Sequence, residues 1–548
     1  MRGNGLKPLY REFLSAFSRG KSRFFCRRYF MIEIHNLTIS HRYDLRKIID
    51  DFTLTVKPTD KIAIIGEEGN GKSTLLKCIV DSQLIESYCE VQGEIRSKNE
   101  RIGYLPQELE HKHVEKTVYE YFCESDAFSL ATPSQLHDIA QALGNDVEMY
   151  YQTQPMSTLS GGEKIKYQLA AILLEQPSIL LLDEPSNDLD ISTLAWLENF
   201  IKESNIPIIY ISHDETLLAN TANCIVHLEL VKRKTEARHT IMHIGYDAYK
   251  ELRNKQFEKQ MIDAQSERRQ DKLRMEKYQQ VYERVQHELR VVSRQAPQTA
   301  ANLKKKMRSV KAMRKRFERE RENMTEIPLR EDAIFFHFDV EPFASDKQIL
   351  DYHLDKLMTK DESKILASDI TLQVFGNQKI CVVGNNGCGK TTLLHKIHDA
   401  LSEREDIHIG YMPQNYDEIL DEYESPIDFL TTVGDKEDIT RIRQYLGSMK
   451  FTSDEMEHSL RELSGGQRAK VFMLKMHLEG ANVLLLDEPT RNFSPLSAPV
   501  VREELKNFGG AIIAVTHDRK FIQEVFDDIY LLNSTGLHRD TIETLNFQ

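Results

Sequence analysis

The sequence predicts an α/β chain in three parts: two copies of a strand–glycine loop–helix domain, one on each side of a long antiparallel α-helical hairpin. Three observations carry this. An apolar run that ends in a glycine-rich loop occurs twice, at Lys61–Lys72 and at Lys379–Lys390. The motifs that follow each loop come in the same order, the later ones at a constant offset. The stretch between the copies, residues 246–326, has no glycine and Pro297 as its one proline, and it is dense in Lys, Arg, Glu and Gln.

That middle stretch reads as helix because its apolar residues recur at gaps of three and four. Tyr278, Val281, Val285, Leu289 and Val292 form one stripe, and Leu303, Met307, Val310, Met313 and Phe317 form another. Arg294–Ala300 lies between them, where Pro297 interrupts the pattern. The expectation is two helices packed along these stripes and joined by a short tip. The first, from about Tyr246 to Val292, would be on the order of 70 Å long at about 1.5 Å per residue. Residues 246–326 carry 22 Lys+Arg against 13 Asp+Glu in a chain whose net charge is −13. Ten basic residues (Arg290, Arg294, Lys304, Lys305, Lys306, Arg308, Lys311, Arg314, Lys315 and Arg316) run from 290 to 316 with no acid among them. A basic end on a rigid lever in an acidic protein points to a polyanion partner. A solvated spacer between two domains is the plainer reading of the same run.

At 548 residues the chain is long enough for two or three cored domains. No apolar run approaches the length of a membrane span. The seven cysteines are scattered, with no pairing or metal spacing, which suits a reduced, cytoplasmic protein. The first thirty residues hold eight Lys+Arg and one acid, Glu12. They admit a transit peptide, a membrane-surface helix or an over-long start. The last is favoured, because Met31 opens an ordinary alternating strand. The expected division is 1–30, a basic extension; 31–240, the first domain; 241–330, the hairpin; and 331–548, the second domain.

In the first copy, Gly66, Gly69, Gly71, Lys72 and Ser73 have the full G-x4-G-K-[ST] spacing, with a strand before and a helix containing Thr74 after. Glycines there let backbone N–H groups turn inward around phosphate, and the helix N-terminus adds its positive end. Lys72 is placed to reach the β- and γ-phosphates of a nucleotide and the Ser73 hydroxyl to ligate Mg2+. Gln107 follows a second strand. Leu159-Ser160-Gly161-Gly162-Glu163 opens a helix, Ser160 being a good cap whose free N–H neighbours make a second anion site. The apolar run from Ile179 ends in Asp183 and Glu184, and that from Ile208 ends near His213.

The second copy repeats all of this. Gly384, Gly387, Gly389, Lys390, Thr391 and Thr392 form its loop, followed by Gln414 and by Ser464, Gly465 and Gly466. Ser464, Asp487, Glu488 and His517 all lie 304 positions after their counterparts, as a duplicated domain requires. One departure stands out: Ser186-Asn187-Asp188-Leu189-Asp190 becomes Thr490-Arg491-Asn492-Phe493-Ser494. The acid missing at Ser494 suggests two unequal sites.

Taken together, these motifs resemble those of ATP-binding-cassette domains: P-loop, Q-loop, LSGG signature, paired Asp-Glu, D-loop and switch histidine. The resemblance implies ATP and Mg2+ as cofactors and an ATPase. Asp183 and Asp487 would order Mg2+ with Ser73, Thr391, Gln107 and Gln414. Glu184 and Glu488 would polarise the attacking water, and His213 and His517 would contact the γ-phosphate. Cassettes of this family pair head to tail, so one ATP would lie between Lys72 and Ser464 and another between Lys390 and Ser160, within a monomer. An aromatic that stacks on adenine is also expected, with Tyr43 the candidate.

Two fused cassettes without a membrane domain, joined by a basic hairpin, resemble the ABC-F family of ribosome-associated ATPases. That likeness implies binding to the large ribosomal subunit, with the ten basic residues on rRNA or P-site tRNA. Gln107 to Ser160 spans 53 positions and Gln414 to Ser464 spans 50, leaving no room for the extra arm of some housekeeping members. This leans toward the branch that protects ribosomes from antibiotics. Two alternatives stand beside it, a housekeeping factor for stalled ribosomes and the ATPase subunit of a transporter. A DNA-repair ATPase fits less well, because the hairpin separates two complete cassettes.

Overall fold

The computed structural model describes residues 31–97, 100–231, 236–291, 297–322, 338, 340–359, 362–420, 423–432 and 434–540. The basic N-terminal stretch, Val292, Arg294 and the tip as far as Ala296 lie outside them. The described residues before 247 and after 330 form one unit, and those between form a second.

In the first unit each cassette is built on two sheets. In the first cassette β1 (Ile32–His41) pairs antiparallel with β2 (Lys47–Val56) and β4 (Cys89–Arg96). A six-stranded sheet follows the order β5-β6-β7-β3-β8-β9, comprising β3 (Lys61–Ile65), β5 (Ile102–Leu105), β6 (Ile179–Asp183), β7 (Ile208–Ile211), β8 (Cys224–Val231) and β9 (Glu236–Met242). All neighbours in it are parallel except β8 and β9. β3, β6 and β7 are buried at every position, which is why they read as continuous apolar runs rather than alternating ones. β1 alternates, and its buried Ile32, Ile34, Leu37 and Ile39 pack in one core with Ile62, Ile64, Leu181 and Ile209.

The second cassette repeats the plan. Its antiparallel pair is β10 (Gln348–Met358) with β11 (Ile365–Phe375). Its sheet runs β13-β14-β15-β12-β16-β17, from β12 (Lys379–Val383), β13 (Ile409–Met412), β14 (Val483–Asp487), β15 (Ala511–Val515), β16 (Asp528–Asn533) and β17 (Gly536–Asp540). In both sheets the first strand, the one ending in paired carboxylates and the one ending near a histidine are adjacent. Their C-terminal ends therefore open onto one crevice, where ligands of such sheets bind.

Four helices position the site residues of the first cassette. They are α1 (Lys72–Val80), α2 (Gly161–Leu174), α3 (Ile191–Glu203) and α4 (Glu215–Thr221) in the first cassette. Their second-cassette equivalents used below are named where they arise. Tyr246, at the end of the first cassette, is buried, and its hydroxyl donates to the Pro495 carbonyl of the second at 2.9 Å. Tyr246→Phe would leave that carbonyl without this donor. We expect a loss of about 1–3 kcal/mol in chemical denaturation.

The second unit is an antiparallel pair of helices, α5 (Tyr246–Val291) and α6 (Pro297–Glu322). Pro297 opens α6, a position where its missing N–H costs nothing. The register is fixed by Tyr278 edge-on to Phe317 at 6.4 Å between ring centroids, and by ion pairs Arg274–Glu320 at 3.0 Å and Arg321–Asp271 at 2.6 Å. The seam differs from the expected stripes at two places. Val281 and Met313 are exposed, while Tyr278, Val285 and Val310 are buried and Tyr282 half-buried. At about 100° per residue, Tyr282 lies about 40° from Tyr278 whereas Val281 lies about 60° away on the other side. Met313 lies about 60° from Val310 in the same sense, so it too leaves the seam.

Candidate nucleotide sites

Each glycine loop is shaped by backbone that a side chain would resist. Gly69 and Gly71 take φ of 79° and 83°, and Gly387 and Gly389 take 77° and 102°. A Cβ at Gly66 would lie 2.3 Å from the Leu228 carbonyl oxygen, and one at Gly384 would lie 2.5 Å from that of Leu532. The loop lysines are equivalent. Lys72 Nζ donates to the carbonyls of Gly66 and Glu67 at 2.9 and 3.1 Å, and Lys390 Nζ to those of Gly384 and Asn385 at the same distances. Burial lowers the Lys72 pKa, against the pull of Glu184, Glu68, Asp183 and Glu67.

Beside each lysine a hydroxyl donates to the first carboxylate of the Asp-Glu pair. Ser73 Oγ lies 3.0 Å from Asp183, and Thr391 Oγ1 lies 2.6 Å from Asp487. Tyr104 also donates to Asp183, at 3.3 Å. Burial raises Asp183 to about 6, despite the Ser73 hydrogen bond, and raises Asp487 as well. Among the described residues no group of three His, Cys, Asp or Glu could hold a metal by itself. One hydroxyl and one carboxylate are the hard oxygen donors that Mg2+ takes when phosphates and water complete its shell, so the donor set fits that ion.

The second carboxylates adopt an unusual backbone. Glu184 and Glu488 both have φ of 50°, in the left-handed region that glutamate rarely enters. Their surroundings differ. Glu184 accepts from Asn187 at 2.7 Å and Gln107 at 3.2 Å, and its other oxygen lies 3.3 Å from His213 Nε2. Burial would raise its pKa, but the His213 hydrogen bond and charge, with Lys72 and Asn187, bring it down to about 2. Glu488 accepts from Thr516 Oγ1 at 3.2 Å and from the His517 amide at 3.4 Å, with the His517 ring 4.0 Å away. Burial, then Asp487, pushes it up to about 8; burial, then Lys390, drives His517 down to about 3.

The signature serines cap their helices. Ser160 and Glu163 form a reciprocal capping box at the start of α2. Ser464 and Gln467 do the same for α8 (Gly465–Leu478), which follows α7 (Lys390–Ser402) in the second cassette. Each signature packs on its own D-loop: a Cβ at Gly161 would lie 2.5 Å from the Asp188 carbonyl oxygen, and one at Gly466 would lie 2.8 Å from that of Asn492.

Contacts then run between the cassettes. The Gly466 amide donates to the Glu68 carboxylate of the first P-loop at 2.7 Å, and Lys470 lies 4.0 Å from Glu67. On the other side Asn386 of the second P-loop donates to the Asp188 carbonyl at 2.5 Å, and Arg491 pairs with Asp188 at 2.9 Å. His213 Nδ1 lies 2.8 Å from the Phe493 carbonyl of the opposite D-loop. A cavity of about 550 Å³ brings Lys390, Thr391, Gln414, Glu488 and His517 together with Gly161 and Asp188 of the first cassette. The first P-loop thus faces the second signature, and the second P-loop faces the first.

Two acids that the motifs do not single out also join the site. Tyr43 is 94% exposed in the turn between β1 and β2. The side chains that meet the P-loops from the antiparallel strands are aliphatic: Ile48 against Gly71, and Leu357 and Leu366 against Gly389. Arg314 and Arg316 each pair with a carboxylate one helical turn on, Glu318 at 2.9 Å and Glu320 at 2.8 Å, yet stay exposed, so the basic face of α6 runs from Lys304 to Arg316. Glu67 and Glu68 went unnoticed, although the second loop has Asn385 and Asn386 at those positions. Setting the two loops side by side would have found them.

This arrangement defines an ATP-binding-cassette protein with two cassettes in one polypeptide, and the chain is an ATPase of that kind. A family model described as ABC transporter matches residues 49–187 and 367–491. The chain is similar along its length to proteins of the ABC-F type. It is 27% identical to the putative ATP-binding protein YdiF of Bacillus subtilis over 92% of this chain and 80% of that protein. It is 24% identical to ABC transporter F family member 5 of Arabidopsis thaliana, over 88% of this chain and 72% of that protein. Its fold matches archaeal ribosome recycling factor aABCE1, solved with ribosomal stalk protein aP1, with a TM-score of 0.55 at 18% identity over 92% of this chain and 89% of that one. Among the described residues no helix is long and apolar enough to cross a membrane.

Proposed function

We propose that this chain is a cytoplasmic, ribosome-associated ABC-F ATPase whose ATP-driven cassette closure moves the basic hairpin on the large ribosomal subunit. Bound ATP with Mg2+ supplies the phosphoryl group and the charge that offsets it. Lys72 and Lys390 bind phosphate oxygens, with the loop glycines, Thr74 and Thr392. Ser73 with Asp183 and Thr391 with Asp487 hold the cation, with Gln107 and Gln414. Glu184 and Glu488 accept the proton of the attacking water, and His213 and His517 steady the terminal phosphate. Ser160–Gly162 and Ser464–Gly466 meet that phosphate from the opposite cassette.

The observation that carries the ribosomal part is the hairpin: a paired helical lever whose Lys304, Lys305, Lys306, Arg308 and Lys311 are all exposed. Such a face suits rRNA or P-site tRNA backbone. The recycling factor it resembles in fold is described with a ribosomal protein, which supports the same direction. Within this reading we place the chain in the antibiotic-protection branch, because no arm separates Gln107 from Ser160.

Co-sedimentation with ribosomes tests it. A Glu184→Gln, Glu488→Gln chain should pellet with ribosomes only when ATP is present. Replacing Lys304, Lys305 and Lys306 with Ala should weaken this about tenfold and flatten its salt dependence. Pelleting with membranes instead of ribosomes would favour the transporter reading.

A further inference from the structure

The two cassettes meet through buried ion pairs whose polarity is reversed between copies. Position 198 of α3 corresponds to 502 in α9 (Ala498–Asn507), and position 215 of α4 to 519 in α10 (Arg519–Val525), each at the offset of 304 shared by the catalytic motifs. In a duplicated pair related by a pseudo-two-fold, the contact 198–519 and the contact 502–215 are the same contact made twice. Both are present. Glu198 pairs with Arg519 at 2.9 Å, and Arg502 pairs with Glu215 at 2.7 Å. All four side chains are at least nine-tenths buried, with exposures of 8%, 4%, 2% and 2%.

The first cassette therefore carries acid at both positions and the second carries arginine at both. Glu198 and Arg502 also have partners in their own cassettes, Lys202 lying 2.7 Å from Glu198, and two neighbours across the interface repeat the polarity. Glu198 accepts from Asn220 at 2.9 Å, whereas Arg502 donates to Glu524, the residue equivalent to Asn220, at 2.7 Å. Asp214 adds a second acid 3.4 Å from Arg519, and Lys520 adds a second base 3.5 Å from Glu215.

We infer that these pairs are a recognition code that admits only a first cassette opposite a second. Two first cassettes would set Glu198 against Glu215 and Asp214, and two second cassettes would set Arg502 against Arg519 and Lys520. Lys202 and Glu524 would still face Glu198 and Arg502 from their own cassettes, but buried like charges brought together repel far more strongly than exposed ones. The P-loops and D-loops also differ between the copies, but the charged contacts they make across the interface, such as Arg491 with Asp188, are more exposed, so the strongest discrimination lies in this buried ionic belt. It excludes like-with-like pairing, and the covalent link between the two cassettes then favours closure within one chain.

The test uses three full-length variants. Arg502→Glu with Arg519→Glu makes both cassettes acidic, Glu198→Arg with Glu215→Arg makes both basic, and the fourfold combination restores complementarity with the signs exchanged. Basal ATP hydrolysis, which needs no ribosome, should fall about tenfold or more in each two-site chain and return to within about threefold in the fourfold chain. Thermal unfolding checks that each remains folded. Retention of full hydrolysis by both two-site chains, or a folded fourfold chain no better than either, would overturn the inference. If the fourfold chain does not fold, mixing the two folded two-site chains decides. Recovered hydrolysis with a two-chain species by sedimentation supports the code, and two inactive, separate chains refute it. The ribosomal proposal stands or falls independently of this result.

Discussion

Hydrolysis should fall at least about a hundredfold when Glu184 and Glu488 are both changed to Gln, because a positioned base contributes that much to water attack. The two single variants should not share the loss equally. At sub-saturating ATP, Glu488→Gln should remove the larger part and Glu184→Gln the smaller. The reason lies in the loops, and the comparison is made at about pH 9, above the Glu488 pKa of about 8, so that both glutamates are ionised. The second P-loop carries the neutral Asn385 and Asn386, and its cavity of about 550 Å³ reaches Gly161 and Asp188 across the interface. The first presents Glu67 and Glu68, two carboxylates at the mouth of an anion site, with Glu68 on the Gly466 amide at 2.7 Å. A negative phosphate approaching that amide meets a negative charge already bound there. Steady-state rates of the two single variants across ATP concentrations measure the split, and equal losses at every concentration would contradict it.

Changing Glu68 to Asn, the residue that the second loop carries at that position, should therefore tighten ATP at the first site by about tenfold. Two contributions act in the same direction. The like charge beside the phosphates is removed, and the N-terminus of α8 is released from a competing acceptor. Glu68→Gln separates them, since it removes the charge while keeping side-chain length and an acceptor oxygen. Because Glu68 is exposed, salt screens part of the repulsion, and the gain should shrink as ionic strength rises. Titration of ATP into the Glu184→Gln, Glu488→Gln chain with and without the change measures it directly. An unchanged affinity would mean that the carboxylate swings clear when nucleotide enters.

What could be read from residue order alone was whatever short-range chemistry encodes. The P-loops are legible because glycine spacing, a lysine and a hydroxyl must follow a strand and open a helix. Ser160 and Ser464 are legible because a cap and its partner three residues later bond to each other. The hairpin is legible because a run without glycine, with gaps of three and four, has one plausible conformation. Even there Val281 and Met313 leave the seam, since an apolar side chain about 60° off it still satisfies a simple spacing rule.

Tertiary structure decided what lies between distant residues. Nothing local puts Glu184 and Glu488 at φ of 50°; strands, helices and carboxylate partners on every side hold them there. Nothing local joins Glu68 to Gly466, His213 to Phe493 or Arg502 to Glu215, contacts across some 280 to 400 positions. Glu198 and Arg502 look like ordinary surface charges on amphipathic helices until the second cassette covers them. The sequence carried both halves of that belt at matching positions, but the meaning of opposite charges depends on which surfaces meet. Only packing, by removing water from between them, turned four scattered residues into a rule for pairing.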